Sequence, residues 1–228
     1  MTNDNQSSLC WDFLGTVPYT DAWHLQKQLR EERIQGLIQD HLLLLEHPAT
    51  ITLGRLRGEE SLRESSEQLE ERGVTVLRSD RGGDATLHAP GQLVGYCIVD
   101  LNQRKLTLPA FVETLAEGFV SLLAKRGVTA HYDSDFPGVW VGERKIVAFG
   151  FHLKQNVSMH GFAFNLHTDL GLFDLIVPCG LQHRGVASLR QEQADSTETP
   201  GSIAEEVART LASRISLPAV QTSLKERL

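Results

Sequence analysis

Cys179 lies between Pro178 and Gly180, a rigid residue on one side and a permissive one on the other. Such flanking residues present a single side chain at a turn of the backbone. A thiol presented in this way becomes a nucleophile when its surroundings lower its pKa. Lys145, in a polar segment upstream, is the candidate ammonium that would lower it. If the two side chains meet, they predict group transfer through a covalent enzyme intermediate.

Each of these residues also has an ordinary structural interpretation. Lys145 could be a solvated lysine at the start of a hairpin, as most lysines are exposed. Cys179 could be a small buried hydrophobic residue. Structural roles are expected for the other two cysteines, Cys10 near a disordered start of the chain and Cys97 inside a predicted strand.

A glycine-rich segment, residues 81–92, is the second feature with chemical potential. Its glycines allow a ligand to approach the main chain closely, and Thr86 and His88 can donate or accept hydrogen bonds. The composition of this segment is also typical of a simple connection that carries a surface histidine. Its residue types therefore leave a binding loop and a plain loop open.

The overall composition is that of an ordinary folded chain, with 228 residues, 41% hydrophobic, 22% charged and a formal net charge of −7. The length suffices for one domain with a sizeable core. An acidic balance argues against unaided nucleic-acid binding. No apolar run approaches a membrane span, and the first residues lack the features of a secretory signal. Three widely spaced cysteines fit a reducing compartment, so we expect a cytoplasmic protein with neither nucleic-acid nor membrane partners.

Helices and strands alternate irregularly along the predicted chain, which favours an α/β (α+β) fold with a mixed sheet flanked by helices. Helices are predicted at about residues 20–39, 57–72, 108–126 and 201–215. Strands are predicted at about residues 42–46, 74–77, 92–101, 128–132, 138–141, 145–153 and 157–167. The elements predict a single catalytic domain over 1–228, with a core at about 10–215 and a flexible loop at 191–201.

Several well-known motifs are absent from the sequence. It contains no phosphate-binding Gly-x-x-x-x-Gly-Lys-Ser/Thr loop, no Gly-x-Gly-x-x-Gly fingerprint and no His-Glu-x-x-His pair. The Gly-x-Ser-x-Gly elbow of serine hydrolases is missing too. These absences weigh against nucleotide hydrolysis, nicotinamide chemistry, zinc chemistry and serine hydrolysis. We predict neither a metal nor a cofactor.

Taken together and in order, five segments of the chain resemble the LipB family of lipoyl(octanoyl) transferases. They are residues 46–55 (EHPATITLGR), 81–96 (RGGDATLHAPGQLVGY), 137–141 with 145–146 (PGVWV, KI), 158–166 (SMHGFAFNL) and 176–181 (IVPCGL). Each segment alone is a weak signal. Five in sequence, with both Lys145 and Cys179 present, make a specific one that covers most of residues 40–190.

The resemblance implies a fold like the catalytic domain of biotin and lipoate protein ligases. It implies Cys179 as the nucleophile and Lys145 as the acid/base. The substrate-binding residues that it implies are Arg81, Gly82, Gly83, Asp84, Ala85, Thr86, Leu87, His88, Ala148, Phe149, Gly150, Gly161, Phe162 and Ala163. His160 is a further candidate for the acyl site, and backbone N–H groups near Gly180 are candidates for holding the oxyanion.

The implied reaction moves an octanoyl group from acyl carrier protein to a lysine of a lipoyl domain, the first step of lipoate biosynthesis. The acceptor would be a lipoyl domain of a 2-oxoacid dehydrogenase complex or the glycine-cleavage H protein. Exchanging a thioester for an amide runs downhill, so no ATP is needed. An ammonium about 4 Å from the thiolate would stabilise it by up to ~4 kcal/mol at an effective dielectric near 20, which would make the thiolate of Cys179 the major form.

Other functions remain open at this point. An ATP-dependent lipoate or biotin protein ligase shares the implied fold but does not need the cysteine. A non-catalytic module could sequester acyl carrier protein or a lipoyl domain. A cysteine thioesterase would consume the donor without an acceptor. Within the site, His88 and His160 are rival bases to Lys145, because cysteine paired with histidine is the more common activation pattern.

Overall fold

The computed structural model describes residues 7–56, 58–177 and 184–228. Its helices are α1 (Tyr19–Ile34), α2 (Ser66–Glu71), α3 (Leu101–Arg104), α4 (Leu108–Ala124), α5 (Leu189–Glu192) and α6 (Pro200–Arg214). Its strands are β1 (Leu9–Thr16), β2 (Asp40–Glu46), β3 (Thr50–Leu53), β4 (Thr75–Arg78), β5 (Thr86–His88), β6 (Gln92–Ile98), β7 (His131–Asp133), β8 (Gly138–Val141), β9 (Arg144–Lys154), β10 (Val157–Asn165), β11 (Gly185–Val186) and β12 (Ala219–Gln221).

Nine strands of the described chain form one mixed sheet. Eight follow the order β12-β1-β2-β6-β10-β9-β8-β7, and β11 pairs with one end of β9. The β1–β2, β1–β12 and β9–β11 pairs are parallel, and the others are antiparallel. The predicted mixed sheet flanked by helices is confirmed.

The two faces of this sheet carry different helices. On one face, α4 and α6 cover a core that includes Phe119, Phe162 and Phe164. On the other face, which we call the cavity face, α1 packs against β6 and β10 over residues such as Leu25 and Tyr96. Each fully buried Leu or Phe contributes roughly 1.5–3 kcal/mol, so these layers fix the strand register on which the site depends.

Helix α4 illustrates how the sequence specifies these elements. The hydroxyl of Thr107 accepts a hydrogen bond from the N–H of Ala110, which caps the first turn, and a proline occupies that turn. The apolar residues recur at helical spacing and are buried against the sheet and α6: Phe111, Val112, Leu115, Ala116, Phe119, Leu122 and Leu123. Gly127 follows the helix in a left-handed conformation.

A second sheet of three strands, in the order β4-β3-β5, stands over the cavity face. Its own small core includes Ile51, Leu69 and Leu87. Between β4 and β5, residues 79–85 form the loop that approaches the large sheet. This second sheet therefore places the glycine-rich loop against β9.

Three local predictions differ from the structure. The predicted helix over 57–72 is a short 3₁₀ turn at Glu59–Ser61 followed by α2, because Ser65 forms a capping box with Gln68 and starts a new helix. Residues 86–88, predicted as loop, form strand β5. Cys10, predicted near a disordered start, lies in β1, whose parallel partner β12 comes from the opposite end of the chain.

Within the described chain, none of the helices has the length and apolar character needed to cross a bilayer.

Candidate active site

A cavity of about 400 Å³, counted to its open mouth, lies between the cavity face of the large sheet and the second sheet. It takes side chains from α1, β5, β6, β9, β10 and the glycine-rich loop. The lining residues are Tyr19, Arg81, Thr86, His88, Tyr96, Ala148, Phe149, Gly150, His160, Gly161, Phe162 and Ala163.

The floor of the cavity is made of very small residues on two neighbouring strands. Ala148 of β9 lies opposite Ala163 of β10, and Gly150 lies opposite Gly161. Residues that pair directly in a sheet share a face, and Gly161 in turn pairs with Tyr96 on the cavity face. The four small residues therefore leave a trough that runs along the strands.

The glycine-rich loop closes one side of this trough by direct backbone contact. The N–H of Gly82 donates to the carbonyl of Phe151 at 3.0 Å. A Cβ atom at Gly82 would come within 2.9 Å of that carbonyl oxygen, and one at Gly150 within 3.0 Å of the carbonyl oxygen of Gly82. Glycine at both positions is what permits the loop to lie this close to β9.

Arg81 is buried, and its guanidinium holds the loop to the second sheet. Its Nε donates to the hydroxyl of Thr52 at 2.8 Å and its Nη2 to the carbonyl of Thr52 at 2.5 Å. Its Nη1 donates to the carbonyl of Gly82 at 3.0 Å. The cation thus ties β3 to the loop while part of the side chain faces the cavity.

Nine of the fourteen residues expected to bind substrate line the cavity. They are Arg81, Thr86, His88, Ala148, Phe149, Gly150, Gly161, Phe162 and Ala163, and the further candidate His160 joins them. The other five lie around the loop. Asp84 is buried and accepts a hydrogen bond from Ser61 at 2.8 Å, Leu87 packs in the core of the second sheet with Ala85 against it, and Gly82 and Gly83 form the turn itself.

Lys145 reaches the cavity face because of a bulge between β8 and β9. Val139 pairs with Val147 but Trp140 pairs with Lys145, so Ile146 is the extra residue. Ile146 and Val147 are both fully buried in the core beneath α4 and α6. Lys145 consequently falls on the same side as Ala148, which strict alternation would not give.

The stem of Lys145 crosses β8 at Gly138, where a Cβ atom would lie 2.8 Å from its Cε. Its Nζ donates to the carbonyl of Pro137 at 3.4 Å and lies 4.7 Å from the ring centre of Trp140. Ala148 of the cavity floor pairs with Gly138. The ammonium is therefore held beside one end of the trough by a carbonyl and an aromatic face.

Cys179 and Gly180 lie outside the described residues. Both flanks of their segment are described. Before it, the N–H of Val177 donates to the carbonyl of Ser61 at 2.8 Å. After it, the guanidinium of Arg184 lies 4.9 Å from the ring centre of Trp140, the same ring that Lys145 contacts. Arg184 also pairs with Asp133 at 2.8 Å.

A stack of buried rings forms the cavity wall near α1. His88 stacks on Tyr19 with ring centres 5.8 Å apart and meets the edge of His47 at 5.4 Å. Burial and the neighbouring His47 lower the pKa of His88 well below its usual range. Burial lowers the pKa of His47 to about 4, and its Nε2 accepts a hydrogen bond from the Tyr96 hydroxyl at 2.7 Å. At neutral pH both imidazoles are uncharged.

His160 occupies the other end of the cavity in an unusual backbone conformation. Its φ of +61° lies in the left-handed region, which is uncommon outside glycine. Its Nε2 donates to the carboxylate of Asp80 at 2.8 Å. Burial lowers the pKa of His160 despite that carboxylate. Since His160 pairs with Phe151, it lies about 20 Å along β9 from Lys145 by strand rise.

The carboxylate of Asp80 contacts several polar side chains at this end of the cavity. The indole of Trp23 donates to it at 3.1 Å, and His152 Nδ1 lies 2.9 Å from its second oxygen. Partial burial disfavours the carboxylate, but the hydrogen bond from His160 and the nearby His152 outweigh burial and hold the pKa of Asp80 well below its usual range. Asp80 is therefore charged at neutral pH.

Sequence reasoning did not select Tyr19 or Asp80, and it named Tyr96 only as the end of a resembling segment. Tyr19 belongs to the first turn of α1, so its position depends on how that helix docks on the sheet. Strand alternation in β6 could have identified Tyr96, because it shares a face with Val94 and Ile98. Nothing in the local sequence marks Asp80.

This arrangement combines an apolar trough, neutral imidazoles along its wall and an ammonium at one end. Such a cavity suits an extended aliphatic group whose reactive carbon lies at the ammonium end. No cluster of three or more histidine, cysteine or acidic side chains suited to a metal occurs among residues 7–56, 58–177 and 184–228.

Comparison with known proteins places this geometry in context. Residues 18–212 match the model of the lipoyl protein ligase A/B catalytic domain. The chain is 48% identical over 172 residues to an octanoyltransferase of Solibacter usitatus, covering 75% of this chain and 78% of that one.

Among solved structures, lipoate-protein ligase A bound with ATP aligns with a TM-score of 0.76 and 18% identity, covering 97% of this chain and 92% of the other. A biotin protein ligase of Aquifex aeolicus aligns with a TM-score of 0.51 and 10% identity, covering 96% of this chain and 71% of the other. The fold expected from the sequence resemblance is confirmed.

Proposed function

Because the chain belongs to the lipoyl protein ligase A/B catalytic-domain family, with an octanoyltransferase among its relatives at 48% identity, we propose that it transfers an octanoyl group between proteins. It is an acyltransferase of lipoate biosynthesis. The donor is octanoyl-acyl carrier protein, and the acceptor is a lysine of a lipoyl domain, in a 2-oxoacid dehydrogenase complex or the glycine-cleavage H protein. We place the reaction in the cytoplasm, on a single catalytic domain.

The observation that carries the mechanism is the placement of Lys145. The bulge at Ile146 and the missing side chain of Gly138 bring its ammonium to the end of an apolar trough. An acyl chain with about six buried methylenes would gain ~5 kcal/mol there. The trough thus supplies binding energy, and Lys145 supplies a charge near the reacting carbonyl.

We assign the nucleophile to Cys179. Arg184 follows it by five positions, and a chain of five residue steps spans at most about 18 Å. Arg184 shares the Trp140 ring with Lys145, so covalent reach allows the thiol to meet the ammonium. Of the other cysteines, Cys97 is buried in β6, and burial raises the pKa of its thiol far above neutrality.

The reaction proceeds in two balanced steps. The Cys179 thiolate attacks the thioester carbonyl, the bond from that carbon to the carrier sulfur breaks, and the carrier thiolate takes a proton from Lys145. The acceptor lysine then attacks the acyl-cysteine, the carbon–sulfur bond to Cys179 breaks, and the amine returns a proton to Lys145. The sum is a thioester and an amine giving an amide and a thiol, with no other reactant.

The test is a transfer assay with purified octanoyl-acyl carrier protein and a lipoyl domain, with ATP omitted. We expect octanoylation of the lipoyl domain without ATP, and none from free octanoate with ATP. A requirement for ATP would instead indicate a ligase. Release of octanoate in the absence of the lipoyl domain, at the rate seen in its presence, would indicate a thioesterase.

A further inference from the structure

A chain of hydrogen bonds connects the backbone of Lys145 to the imidazole of His88. It begins where β11 ends. The N–H of Ala187 donates to the carbonyl of Lys145 at 2.9 Å. The carbonyl of Ala187 in turn accepts from Nδ2 of Asn165 at 3.0 Å. Asn165 is therefore oriented with its amide oxygen pointing away from Ala187.

Gln92 continues the chain on the next strand, where it pairs with Asn165. Its Nε2 donates to the amide oxygen of Asn165 at 2.9 Å and to the carbonyl of Leu87 at 3.1 Å. Its Oε1 lies 2.8 Å from Nδ1 of His88. Because carbonyl oxygens only accept, the orientation of both amides is determined by their partners.

This orientation fixes the tautomer of His88. An amide oxygen faces Nδ1, so Nδ1 carries the proton and donates it to Gln92. A neutral imidazole protonated at Nδ1 has its lone pair on Nε2. Among the described residues Nε2 has no hydrogen-bond partner, and His88 lines the cavity. A proton acceptor is therefore available to whatever occupies the cavity.

Burial and the other groups around the ring favour the neutral form of His88 and outweigh its hydrogen bond with Gln92, which raises the pKa. Tyr19 stacks on the ring, and His47 meets it edge-on. The positive charge of Arg81 and the more distant His160 add to the effect of burial in lowering its pKa. No carboxylate is among the groups that shift it, so the uncharged acceptor persists across the neutral range.

The network is costly to maintain unless it serves a purpose. Gln92 is 1% exposed and Asn165 is 4% exposed. Burying two amides is tolerable only when their hydrogen bonds are made, and an apolar pair of similar shape would be about as stable. Here the paired amide atoms form a hydrogen-bond path that ends at the cavity, with one branch to the carbonyl of Leu87.

We propose that Gln92 and Asn165 are positioning residues, which hold His88 as a hydrogen-bond acceptor for an N–H group of the substrate. The same chain of hydrogen bonds connects His88 to the backbone of Lys145. The inference rests on the proposed acyl transfer, which offers two such groups. One is the amine of the acceptor lysine, and the other is an amide N–H in the prosthetic arm of the carrier protein. Both present the same chemistry to Nε2.

The first test measures the tautomer directly, in the unmodified protein. ¹⁵N chemical shifts and long-range couplings of His88 at pH 7 distinguish a protonated Nδ1 from a protonated Nε2. We expect Nδ1 to be protonated and Nε2 to be bare. An Nε2–H tautomer, or an imidazolium, would overturn the proposal. This measurement does not depend on catalytic activity, so it stands even if the proposed function fails.

The second test replaces the acceptor amide with a carboxylate in Gln92→Glu. A carboxylate beside Nδ1 favours the imidazolium and raises the pKa of His88. The acidic limb of the pH–rate profile should therefore move to higher pH, by roughly 1–3 pH units. A merely structural role for Gln92 would lower the rate without moving that limb. Gln103→Glu makes the same change at an exposed residue that contacts Arg33; it is the matched control and should leave the profile unchanged.

Single-turnover measurements on Gln92→Glu separate the two sources of the N–H group. A shifted limb in the transfer from acyl-enzyme to the lipoyl domain identifies the lysine amine. A shifted limb in the acylation by the carrier protein identifies the amide of the prosthetic arm. A limb that stays in place in both half-reactions contradicts the proposal. If wild-type protein forms no acyl-enzyme at all, the proposed function fails, and that outcome is distinct.

Discussion

The two ends of the cavity are built on different physical principles. At the Lys145 end, a bulge, a glycine and a chain of neutral amide hydrogen bonds set the positions of the polar groups. At the His160 end, a charged carboxylate, Asp80, accepts a hydrogen bond from the side chain of His160, whose backbone is left-handed, and pairs with His152. Strand register positions the polar groups at the Lys145 end, and charge positions those around Asp80.

Because of this difference, mutations at the two ends should have different effects. Neutral hydrogen bonds and backbone register are insensitive to pH and salt, so they can hold reacting groups steady across the neutral range. A carboxylate between two histidines stabilises the fold through charge, and that contribution changes when the groups titrate. We therefore expect changes at the Lys145 end to alter rate, and changes at the Asp80 end to alter stability.

The largest effect is expected for Lys145→Met. We propose that Lys145 moves protons in both half-reactions, so its loss should lower the rate of octanoyl transfer by about 10²–10⁴-fold. The midpoint of thermal unfolding should change little, because the aliphatic stem that crosses Gly138 is kept. The rate is measured by mass analysis of the lipoyl domain.

Lys154→Met is the matched control on the same strand. Lys154 makes an ion pair with Glu31 at 2.6 Å, in which both side chains are more than 40% exposed. Such pairs contribute little to stability, and this one lies at the far end of β9. A loss of transfer in Lys154→Met comparable to that in Lys145→Met would contradict a special role for Lys145.

An intermediate effect is expected for Ala163→Leu, which fills the trough next to Ala148. The added atoms narrow the trough at its Lys145 end, where an acyl chain of any length would lie. We expect kcat/KM for octanoyl and butanoyl donors alike to fall about tenfold or more, since one methylene in an apolar pocket is worth roughly 10–200-fold. Unchanged values for both donors would mean that the acyl chain does not occupy the trough.

The smallest effect on rate is expected for Asp80→Asn. The variant loses the charge-assisted hydrogen bond from His160 and the ionic contact with His152, which should lower the free energy of unfolding by about 1–3 kcal/mol at pH 7. Because folding lowers the pKa of Asp80, the wild-type advantage is fully present above the unfolded pKa of about 3.9 and is lost progressively as pH falls from there through the much lower pKa of the folded state.

Denaturant unfolding of both proteins from pH 7 to about pH 2 checks this expectation. The two stability curves should converge as the pH falls. Glu31→Gln removes a carboxylate from an exposed ion pair and serves as the control, with a change near zero. A difference between wild type and Asp80→Asn that grows toward low pH would show that the sign of the linkage is wrong.

The sequence predicted which residues form the site better than it predicted where their side chains point. The residues of the trough floor and of the loop were expected from the resemblance, and most of them meet in one cavity. Leu87 was expected beside Thr86 and His88, but β5 is a strand, and alternation turns Leu87 into the core of the second sheet. The loop prediction for the glycine-rich segment, residues 81–92, hid this alternation.

Other features depended on contacts far apart in the sequence. The side on which Lys145 lies is set by a bulge, which strand periodicity does not reveal. The tautomer of His88 depends on Gln92 and Asn165, which come together only when β6 pairs with β10. Tyr19 lines the cavity, and Asp80 contacts its lining residue His160, only through the docking of α1 and the second sheet. Local residue patterns carry none of this information.

The central claim is that Cys179 carries the octanoyl group between the two proteins, and intact-mass analysis in two stages tests it most directly. After incubation with octanoyl-acyl carrier protein, the wild-type chain and Cys97→Ala should each gain one octanoyl group, and Cys179→Ser should gain none. Adding a lipoyl domain should return the chain to its original mass and octanoylate the lipoyl domain. An octanoyl group that is retained after this addition, or that forms equally on Cys179→Ser, would contradict the account.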